Sequence, residues 1–419
     1  MLLRFALLAA SLALFPATPL ALQAASPVTA NPGKAGLDPE HLALIPARMK
    51  QLVDQHLGAG VVTLVTRHGV VGEFDAVGWQ DIEAHKPMRT DSIFQIMSMT
   101  KPITAVGVMM LVEEGKLGLH EPVEKYLPEF RGQMLVAARN PDGTVLLKKP
   151  SRPIVIRDLM THTSGLPGAP PPGMKELDQK MDHTLAEAVL AYSQMPLEFE
   201  PGTKWKYSNS GIAVLGRLIE VTADEPYQRF IAERILQPLG MKDSFYFPPS
   251  DKTDRIAMVY RHQNGKLVRA GAEILGGDPA LYRKGAKYPA PEFGLYSTAE
   301  DLSHFYQMML NGGTYNGRRY LSRQAVDLMR EVHTGNIAPA GWIPLGGSGY
   351  GLAWEVMRDP TSQLMMMPAG TYGHDGAFGT KGWIDPKDDL IRVMMIQGAN
   401  GTDDFRDAFM QIAGSAVVD

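Results

Sequence analysis

A serine and a lysine three residues apart are the first pair in this sequence that could do chemistry together. Ser98 and Lys101 lie in the stretch 94–102, which reads FQIMSMTKP. On a helix, this spacing places both side chains on one face, about one turn apart. A serine hydroxyl becomes a strong nucleophile when a base takes its proton, and a lysine becomes a base when burial suppresses its charge. The pair therefore predicts a nucleophile and its base; the alternative is a surface serine beside a solvated lysine.

Two further motifs carry residue types that suit the same chemistry. Tyr207 and Asn209 belong to a Tyr-Ser-Asn sequence before a helical pattern, where a side chain can be directed into a cleft. His374 and Gly376 belong to a glycine-containing run at or before a strand, where a backbone can approach a ligand closely. Each motif also has a structural interpretation: a capping aromatic for Tyr207, a helix N-cap for Asn209 and a hydrogen-bonded strand-end histidine for His374. Taken singly, the motifs leave both interpretations open.

The helix that follows Ser98 is predicted to be buried. Proline is tolerated in the first turn of a helix but not later, so Pro102 marks a helix start beside Lys101. Residues 103–112 are apolar on nearly all sides, and Gly115 suits the position after a helix end. A serine at the start of such a helix lies near free backbone N–H groups, which stabilise negative charge on a substrate oxygen.

The remaining pattern places strands towards both ends of the chain and helices between them. Helical spacing occurs at 39–57, 184–195, 212–221, 226–237 and 402–417. Strand patterns occur at 60–67, 70–78, 350–356, 377–384 and 390–397. Strand signals are nearly absent between residues 100 and 290. This order predicts one sheet assembled from both chain ends, with a mostly helical subdomain inserted between them.

The first residues have the pattern of a signal peptide. Arg4 precedes an apolar run at 5–15, small residues follow to Ala24, and the run is too short to span a bilayer comfortably. Cleavage after Ala24 would leave 395 of the 419 residues, enough for a large core. We therefore expect a protein exported to the periplasm or secreted, without stable membrane insertion after cleavage; an uncleaved N-terminal anchor is the alternative.

Composition excludes several classes of chemistry. The chain has no cysteine, so neither disulfides nor thiol catalysis contribute. The formal net charge is −4 and the basic residues are scattered, which gives no indication of a nucleic-acid partner. The 11 histidines form no His-x-x-x-His or His-Glu-x-x-His pair, so we predict no metal site and no cofactor. No serine is flanked as Gly-x-Ser-x-Gly, which argues against an α/β-hydrolase.

The order of Ser-x-x-Lys, Tyr-x-Asn and a late glycine-terminated motif resembles the serine β-lactamase and penicillin-recognising family. The nearer match is its class C β-lactamase-related branch, which includes family VIII carboxylesterases. The similarity spans about residues 40–415 and includes the segments LMTHTSGL at 159–166, FEPG at 199–202, GLYSTAEDL at 294–302 and YGL at 350–352.

The resemblance implies an α/β (α+β) fold of the β-lactamase/transpeptidase type. Its antiparallel sheet would be built from both chain ends, flanked by helices, and interrupted by a mostly helical subdomain. The expected organisation is a signal peptide at 1–24, a flexible lead-in at 25–38 and a serine hydrolase domain at 39–415. Within that domain, the α/β part would comprise about 39–115 and 290–415, and the helical part about 116–289.

The resemblance also implies catalytic roles. Ser98 would be acylated, and Lys101 and Tyr207 would share the duty of general base; because their titrations are coupled, neither is singled out as the base. The backbone N–H groups of Ser98 and Ala377 would form the oxyanion hole. Asn209 would hold Lys101 or a substrate amide.

The third motif departs from the family pattern. Class C β-lactamases typically carry Lys-Thr-Gly there, and the lysine binds the carboxylate of the β-lactam, whereas this chain has His374-Asp375-Gly376. A neutral histidine attracts a carboxylate less than a lysine does, so neutral esters become the more plausible substrates. Lys381 lies five residues after Gly376 and would partly compensate if it faced the substrate, but we interpret it as a solvated strand lysine.

These observations predict an exported serine hydrolase, most consistent with a carboxylesterase that acts on a small-molecule ester or amide. One alternative is a β-lactamase or a D-amino-acid-specific peptidase of cell-wall material, and another is a penicillin-binding sensor that is acylated without turnover. Tyr350, Trp342 and Met365 to Met367 either line an acyl pocket or take part in ordinary core packing. The sequence does not indicate an oligomeric state.

Overall fold

The computed structural model describes residues 29–170, 181–271, 286–337, 347–363 and 366–418. The predicted signal peptide at 1–24 lies outside the described residues, and so do Trp342 and Met365 of the predicted acyl pocket. Within the described ranges, no helix combines the length and the apolar character needed to cross a membrane.

A large antiparallel sheet forms the centre of the fold. The described strands are, in chain order, β1 (Gly60–Arg67), β2 (Val70–Asp81), β3 (Lys86–Pro87), β4 (Phe94–Gln95), β5 (Leu135–Arg139), β6 (Val145–Lys148), β7 (Tyr260–Gln263), β8 (Lys266–Arg269), β9 (Tyr296–Ser297), β10 (Thr314–Tyr315), β11 (Arg318–Arg319), β12 (Ser348–Tyr350), β13 (Glu355–Met357), β14 (Tyr372–Asp375), β15 (Lys381–Asp385) and β16 (Leu390–Ile396). Eight of them form one sheet in the order β12-β13-β14-β15-β16-β1-β2-β3. Because β16 pairs directly with β1, the predicted sheet built from both chain ends is confirmed.

The β1–β2 hairpin follows from its turn residues. His68 and Gly69 both have positive φ, at 53° and 69°. Two-residue hairpin turns favour this conformation because its twist matches that of the flanking strands. The hairpin predicted at 60–78 is therefore confirmed, although β2 continues to Asp81.

Helices cover both faces of the sheet. The described α-helices are Pro39–Leu42, Leu44–Asp54, Thr100–Glu113, Ile156–Met160, Leu185–Ser193, Asn209–Ala223, Tyr227–Ile231, Ala299–Leu310, Arg323–Arg330, Pro360–Gln363 and Asp403–Ser415. Because side chains alternate along a strand, Val61 belongs to the buried cluster that contains Met49 and Phe405 of the first and last long helices, and Val62 belongs to the cluster on the opposite face, which contains Leu302. The long helix after Ser98 belongs to the core on the Val62 face.

Three sequence-based expectations about strands were wrong. The segment between residues 100 and 290 contains two hairpins, β5–β6 and β7–β8, so it is less purely helical than predicted. The second hairpin turns at Asn264-Gly265, a dipeptide typical of two-residue turns, and this signal was overlooked. The strand expected at 350–356 is divided into β12 and β13, and the strand expected at 377–384 begins only at Lys381. The proposed domain boundaries stay a prediction.

Candidate active site

Ser98 lies at the junction of two helical segments. It is the middle residue of a 3-10 turn, Met97–Met99, which leads directly into the helix Thr100–Glu113. Met97 and Met99 are buried in the core, whereas Ser98 is partly exposed. Met97 has a φ of 51°, a strained conformation for a non-glycine residue, and strain of this kind is found at functional sites. The turn therefore anchors its flanks in the core and presents the hydroxyl of Ser98.

Lys101 meets Ser98 from the first turn of the helix, as the spacing predicted. Its Nζ lies 2.9 Å from Oγ of Ser98 and 2.8 Å from the main-chain carbonyl oxygen of Glu292. The side chain of Lys101 is completely buried. Loss of water lowers the pKa of Lys101 to about 7, and the negative charge of Glu292 opposes part of this shift. An amine with this pKa is a usable base near neutral pH.

The carbonyl that contacts Lys101 is held in place by hydrogen bonds along the same helix. Oγ1 of Thr104 donates to the carbonyl of Pro291 at 2.7 Å, and the N–H of Leu295 donates to Oγ1 of Thr100 at 3.2 Å. The segment 291–295 thus runs alongside the helix and is fastened on both sides of Lys101. This segment was not predicted as a part of the site, because nothing in its local pattern indicates its partner.

Tyr207 completes the immediate surroundings of the serine. Nζ of Lys101 lies 4.7 Å from the centroid of the Tyr207 ring, and the Tyr207 hydroxyl lies 3.5 Å from Nε2 of His374. Burial raises the pKa of Tyr207 far above its ordinary value of 10, and the polar side chain of Ser98 opposes this rise only in part. Near pH 7, Tyr207 is therefore a neutral hydroxyl and Lys101 is the more readily available base.

Asn209 does not cap its helix. The N-cap of Asn209–Ala223 is Ser208, whose Oγ accepts from the N–H of Gly211 at 3.2 Å, so the capping interpretation of Asn209 was wrong. Oδ1 of Asn209 is buried and accepts no hydrogen bond among the described residues. The expected contact with Lys101 is not formed within this part of the chain, and the contact of Asn209 with a substrate amide stays a prediction.

The His374 motif divides between the two faces of the sheet. His374 lies on β14 and points to the side of Ser98, with its Nε2 3.5 Å from the hydroxyl oxygen of Tyr207. Asp375 points to the opposite face, where its carboxylate accepts from Nζ of Lys381 at 2.8 Å and from Nε1 of Trp383 at 2.7 Å. The interpretation of Lys381 as solvated was wrong: it is buried, and strand alternation directs it away from Ser98.

The loop after β14 packs on the chain that leads to Ser98. The N–H of Gly376 donates to the carbonyl of Thr380 at 2.7 Å, and Oγ1 of Thr380 donates to the carbonyl of Ile96 at 3.1 Å. A Cβ at Gly376 would lie only 2.5 Å from the same carbonyl, so glycine permits this close approach. Ala377 follows in the exposed part of the loop. The oxyanion hole formed by the N–H groups of Ser98 and Ala377 stays a prediction.

Two buried residues make contacts at this site that the sequence did not predict: His162, which had no assigned role, and Tyr350, which was predicted only as an acyl-pocket or core residue. The hydroxyl oxygen of Tyr350 lies 3.1 Å from Nε2 of His374 and 3.1 Å from Nε2 of His162. Both residues occur in motifs that resemble the family, but the spacing of those motifs does not reveal that they meet. Of the predicted acyl-pocket residues, Met367 packs in the core on the opposite face of the sheet and Met366 is exposed. Within the described ranges, no group of three or more His, Asp or Glu residues is placed to hold a metal ion.

Comparison with known proteins finds relatives along nearly the whole chain. The family model described as Beta-lactamase matches residues 46–416. Esterase EstB of Burkholderia gladioli is 31% identical over 385 residues, covering 84% of this chain and 91% of EstB. A putative D-alanyl-D-alanine carboxypeptidase of Salmonella typhimurium is 25% identical over 414 residues, which cover 94% of this chain and 91% of the carboxypeptidase. The solved structure of EstCE1, a hydrolase with promiscuous acyltransferase activity, has a TM-score of 0.75 at 25% identity and covers 91% of this chain and 99% of EstCE1.

Proposed function

Because this chain belongs to the beta-lactamase family of serine hydrolases, we propose that it is a carboxylesterase that forms an acyl-enzyme on Ser98. The observation that carries the ester preference is the environment of His374, which occupies the motif position of the carboxylate-binding lysine of class C enzymes. The relationship to EstB and the likeness to EstCE1 support the same activity.

In the acylation step, Oγ of Ser98 attacks the ester carbonyl carbon while its proton passes to Nζ of Lys101, 2.9 Å away. The carbonyl oxygen becomes negative, and the N–H groups of Ser98 and Ala377 donate to it. When the intermediate collapses, the bond between the acyl carbon and the alcohol oxygen breaks. The departing oxygen takes a proton from the hydroxyl of Tyr207, which is replaced by the proton held on Lys101.

Water completes the cycle by the same groups in reverse roles. The water attacks the acyl carbon and its proton passes to the pair formed by Lys101 and Tyr207. The bond between the acyl carbon and Oγ of Ser98 then breaks, and the same pair returns a proton to Oγ. The net reaction converts one ester and one water into one acid and one alcohol. Of the two candidate bases, the pKa of about 7 favours Lys101, since burial raises that of Tyr207 far above 10.

Recognition of a carboxylate is disfavoured at His374. Burial and the positive charge of Lys101 lower the pKa of His374 to about 4, so the ring is uncharged at neutral pH. A substrate carboxylate would therefore meet a neutral ring where class C enzymes offer an ammonium ion. Lys381 does not replace that ammonium ion, because it is paired with Asp375 on the other face of the sheet. A neutral ester has no carboxylate to bind, so the absence of an ammonium ion at this position does not weaken its binding.

The decisive experiment compares turnover of a short-chain nitrophenyl ester with that of a chromogenic cephalosporin. We expect rapid ester turnover, slow or absent cephalosporin cleavage, and a loss of at least about a thousandfold in Ser98→Ala. Ser362→Ala is the matched control, since Ser362 is exposed and its hydroxyl donates to the carbonyl of Asp359 within its own turn.

Other outcomes would support the alternatives. Faster cephalosporin than ester turnover would favour a β-lactamase, and release of D-alanine from a D-Ala-D-Ala peptide would favour a peptidase of cell-wall material. One equivalent of product without further turnover would indicate a penicillin-binding sensor. Full activity in Ser98→Ala would overturn the catalytic assignment.

We further propose that the protein is exported to the periplasm or secreted, with the pattern of residues 1–24 as the support. Fractionation of a host that expresses the full chain, followed by N-terminal sequencing of the product, tests this. A mature protein that starts after Ala24 is expected, and intact protein confined to the cytoplasm would contradict the proposal.

A further inference from the structure

The tautomer of His374 follows from its contact with a carbonyl group. Its Nδ1 lies 2.8 Å from the main-chain carbonyl oxygen of Asp375. A carbonyl oxygen only accepts hydrogen bonds, so Nδ1 carries the proton and donates it. In the neutral ring, Nε2 is then a pure acceptor with a single lone pair.

Two tyrosine hydroxyl groups compete for that lone pair. The hydroxyl oxygen of Tyr350 lies 3.1 Å from Nε2 of His374, and that of Tyr207 lies 3.5 Å away. The first distance lies within the ordinary range of a hydrogen bond and the second lies beyond it. The hydroxyl of Tyr350 therefore donates to His374, and that of Tyr207 keeps its proton for other acceptors.

His162 determines the direction of this contact from the other side. The main-chain N–H of Ser208 points at Nδ1 of His162 at 3.2 Å. An N–H group only donates, so Nδ1 of His162 is the acceptor and Nε2 carries the proton. That proton is donated to the oxygen of Tyr350, 3.1 Å away. Tyr350 thus accepts from one histidine and donates to the other.

His162, Tyr350 and His374 thus form a row of hydrogen bonds that is buried from water and ends on main-chain atoms. Only 1% of His162, 2% of Tyr350 and 6% of His374 is exposed. The two end partners, the N–H of Ser208 and the carbonyl of Asp375, neither gain nor lose protons during catalysis. The row therefore orients its members and does not conduct protons out of the site.

We propose that Tyr350, oriented by His162, is a positioning residue that occupies Nε2 of His374 and so keeps the hydroxyl of Tyr207 directed at Ser98 and the leaving group. The part of this inference that concerns catalysis rests on the proposed function. The part that concerns the two histidines does not, because it is a statement about tautomers. It predicts that His162 and His374 are opposite tautomers within one chain.

The tautomers can be measured without any substrate. In protein labelled with 15N-histidine, the ring nitrogens of His162 and His374 are assigned by comparing wild type with His162→Asn and His374→Asn. At neutral pH we expect the unprotonated nitrogen to be Nδ1 in His162 and Nε2 in His374. The same tautomer in both rings, or a doubly protonated His374, would overturn the inference.

Tyr350→Phe tests the positioning role, because it removes one hydroxyl and keeps the ring. We expect kcat for the nitrophenyl ester to fall about tenfold while KM changes less than about twofold, since one hydrogen bond that orients the transition state is lost. We also expect the pKa of His374 to rise, because its neutral form loses a hydrogen-bond donor. Wild-type kcat together with an unchanged His374 titration would contradict the proposal.

Tyr306→Phe is the matched control. Tyr306 is equally buried, and its hydroxyl has no hydrogen-bond partner among the described residues. It should retain wild-type kcat and His374 titration. His162→Asn is a second variant, which tests the proposal if Tyr350→Phe does not fold. Asparagine tolerates the φ of 57° at this position and can still accept a hydrogen bond from the N–H of Ser208. Its shorter side chain cannot reach the hydroxyl of Tyr350.

Two results would separate this inference from the proposed function. A folded His162→Asn with a smaller loss of kcat than Tyr350→Phe is expected; no loss in either folded variant would overturn the positioning role. Absence of ester turnover by the wild type, combined with opposite tautomers, would overturn the proposed function and leave the assignment of the two histidines standing.

Discussion

Nζ of Lys101 lies 2.8 Å from the main-chain carbonyl oxygen of Glu292. Because a carbonyl oxygen only accepts, one N–H of Lys101 points at it in either protonation state. A neutral amine still has a lone pair for the hydroxyl of Ser98, at 2.9 Å, whereas an ammonium ion has none. Lys101 can therefore act as a base only after it has lost a proton.

This relationship predicts the pH dependence of the reaction. We expect kcat/KM for a neutral ester to rise with pH along one limb near pH 7, because the pKa of Lys101 is lowered to about 7. At a pH below this pKa, Lys101 is protonated and inactive as a base; at a pH above it, the amine is neutral and can accept the proton of Ser98. Initial rates from about pH 3 to about pH 9 measure the limb. A limb near pH 4 would instead assign the titration to His374, whose pKa is about 4, and would contradict the role of Lys101.

Removal of the Tyr207 hydroxyl should distinguish the role of Tyr207 as general acid from the role of Lys101 as general base. We expect Tyr207→Phe to lower kcat by about a hundredfold or more, because the leaving alcohol loses its proton donor. The residual activity should keep the limb near pH 7, since that limb belongs to Lys101. Loss of the limb in Tyr207→Phe, with the limb intact in the control Tyr306→Phe, would show that Tyr207 is the effective base.

A methyl group at Gly376 should displace the loop that carries Ala377. The added Cβ would lie 2.0 Å from Oγ1 of Thr380 and 2.5 Å from the carbonyl oxygen of Ile96, and neither separation is sterically possible. We expect Gly376→Ala to lower kcat at least about tenfold and the free energy of unfolding by about 2 kcal/mol, measured by ester turnover and urea denaturation. In the control Gly33→Ala, the new Cβ has no neighbour within 4 Å, so both quantities should stay at wild-type values. Wild-type kcat in Gly376→Ala would refute this account of the loop.

Lys381 should support stability and not substrate recognition. Lys381→Met removes the nearest cation, at 2.8 Å, from the mostly buried carboxylate of Asp375 and leaves it only Nε1 of Trp383 and the more distant Arg406, so we expect the free energy of unfolding to fall by about 2 kcal/mol. The preference between ester and cephalosporin should not change. In the control Lys50→Met, the pair with Asp54 is largely exposed and its loss should have little effect. A selective loss of cephalosporin turnover in Lys381→Met would mean that Lys381 binds the substrate carboxylate.

The sequence by itself determined the features that depend on near neighbours. The spacing of Ser98 and Lys101, the turn at His68-Gly69 and the helix start at Pro102 are local, because each rests on a few residues and on the geometry of one element. The order of the motifs along the chain was also sufficient to indicate the family. Even so, Asn264-Gly265 shows that a local signal can be overlooked when the surrounding strands are short and polar.

Only the tertiary structure decided which groups are charged and which face each other. The pKa of Lys101 depends on desolvation and on contact with Glu292, 191 residues further along the chain. The direction of Lys381 depends on how β15 lies in the sheet. The hydrogen bond between His162 and Tyr350 joins residues 188 positions apart, so no local pattern could specify its geometry. Burial and proton position are set by all the neighbours of a group in space, whereas spacing along the chain reports only the neighbours in sequence.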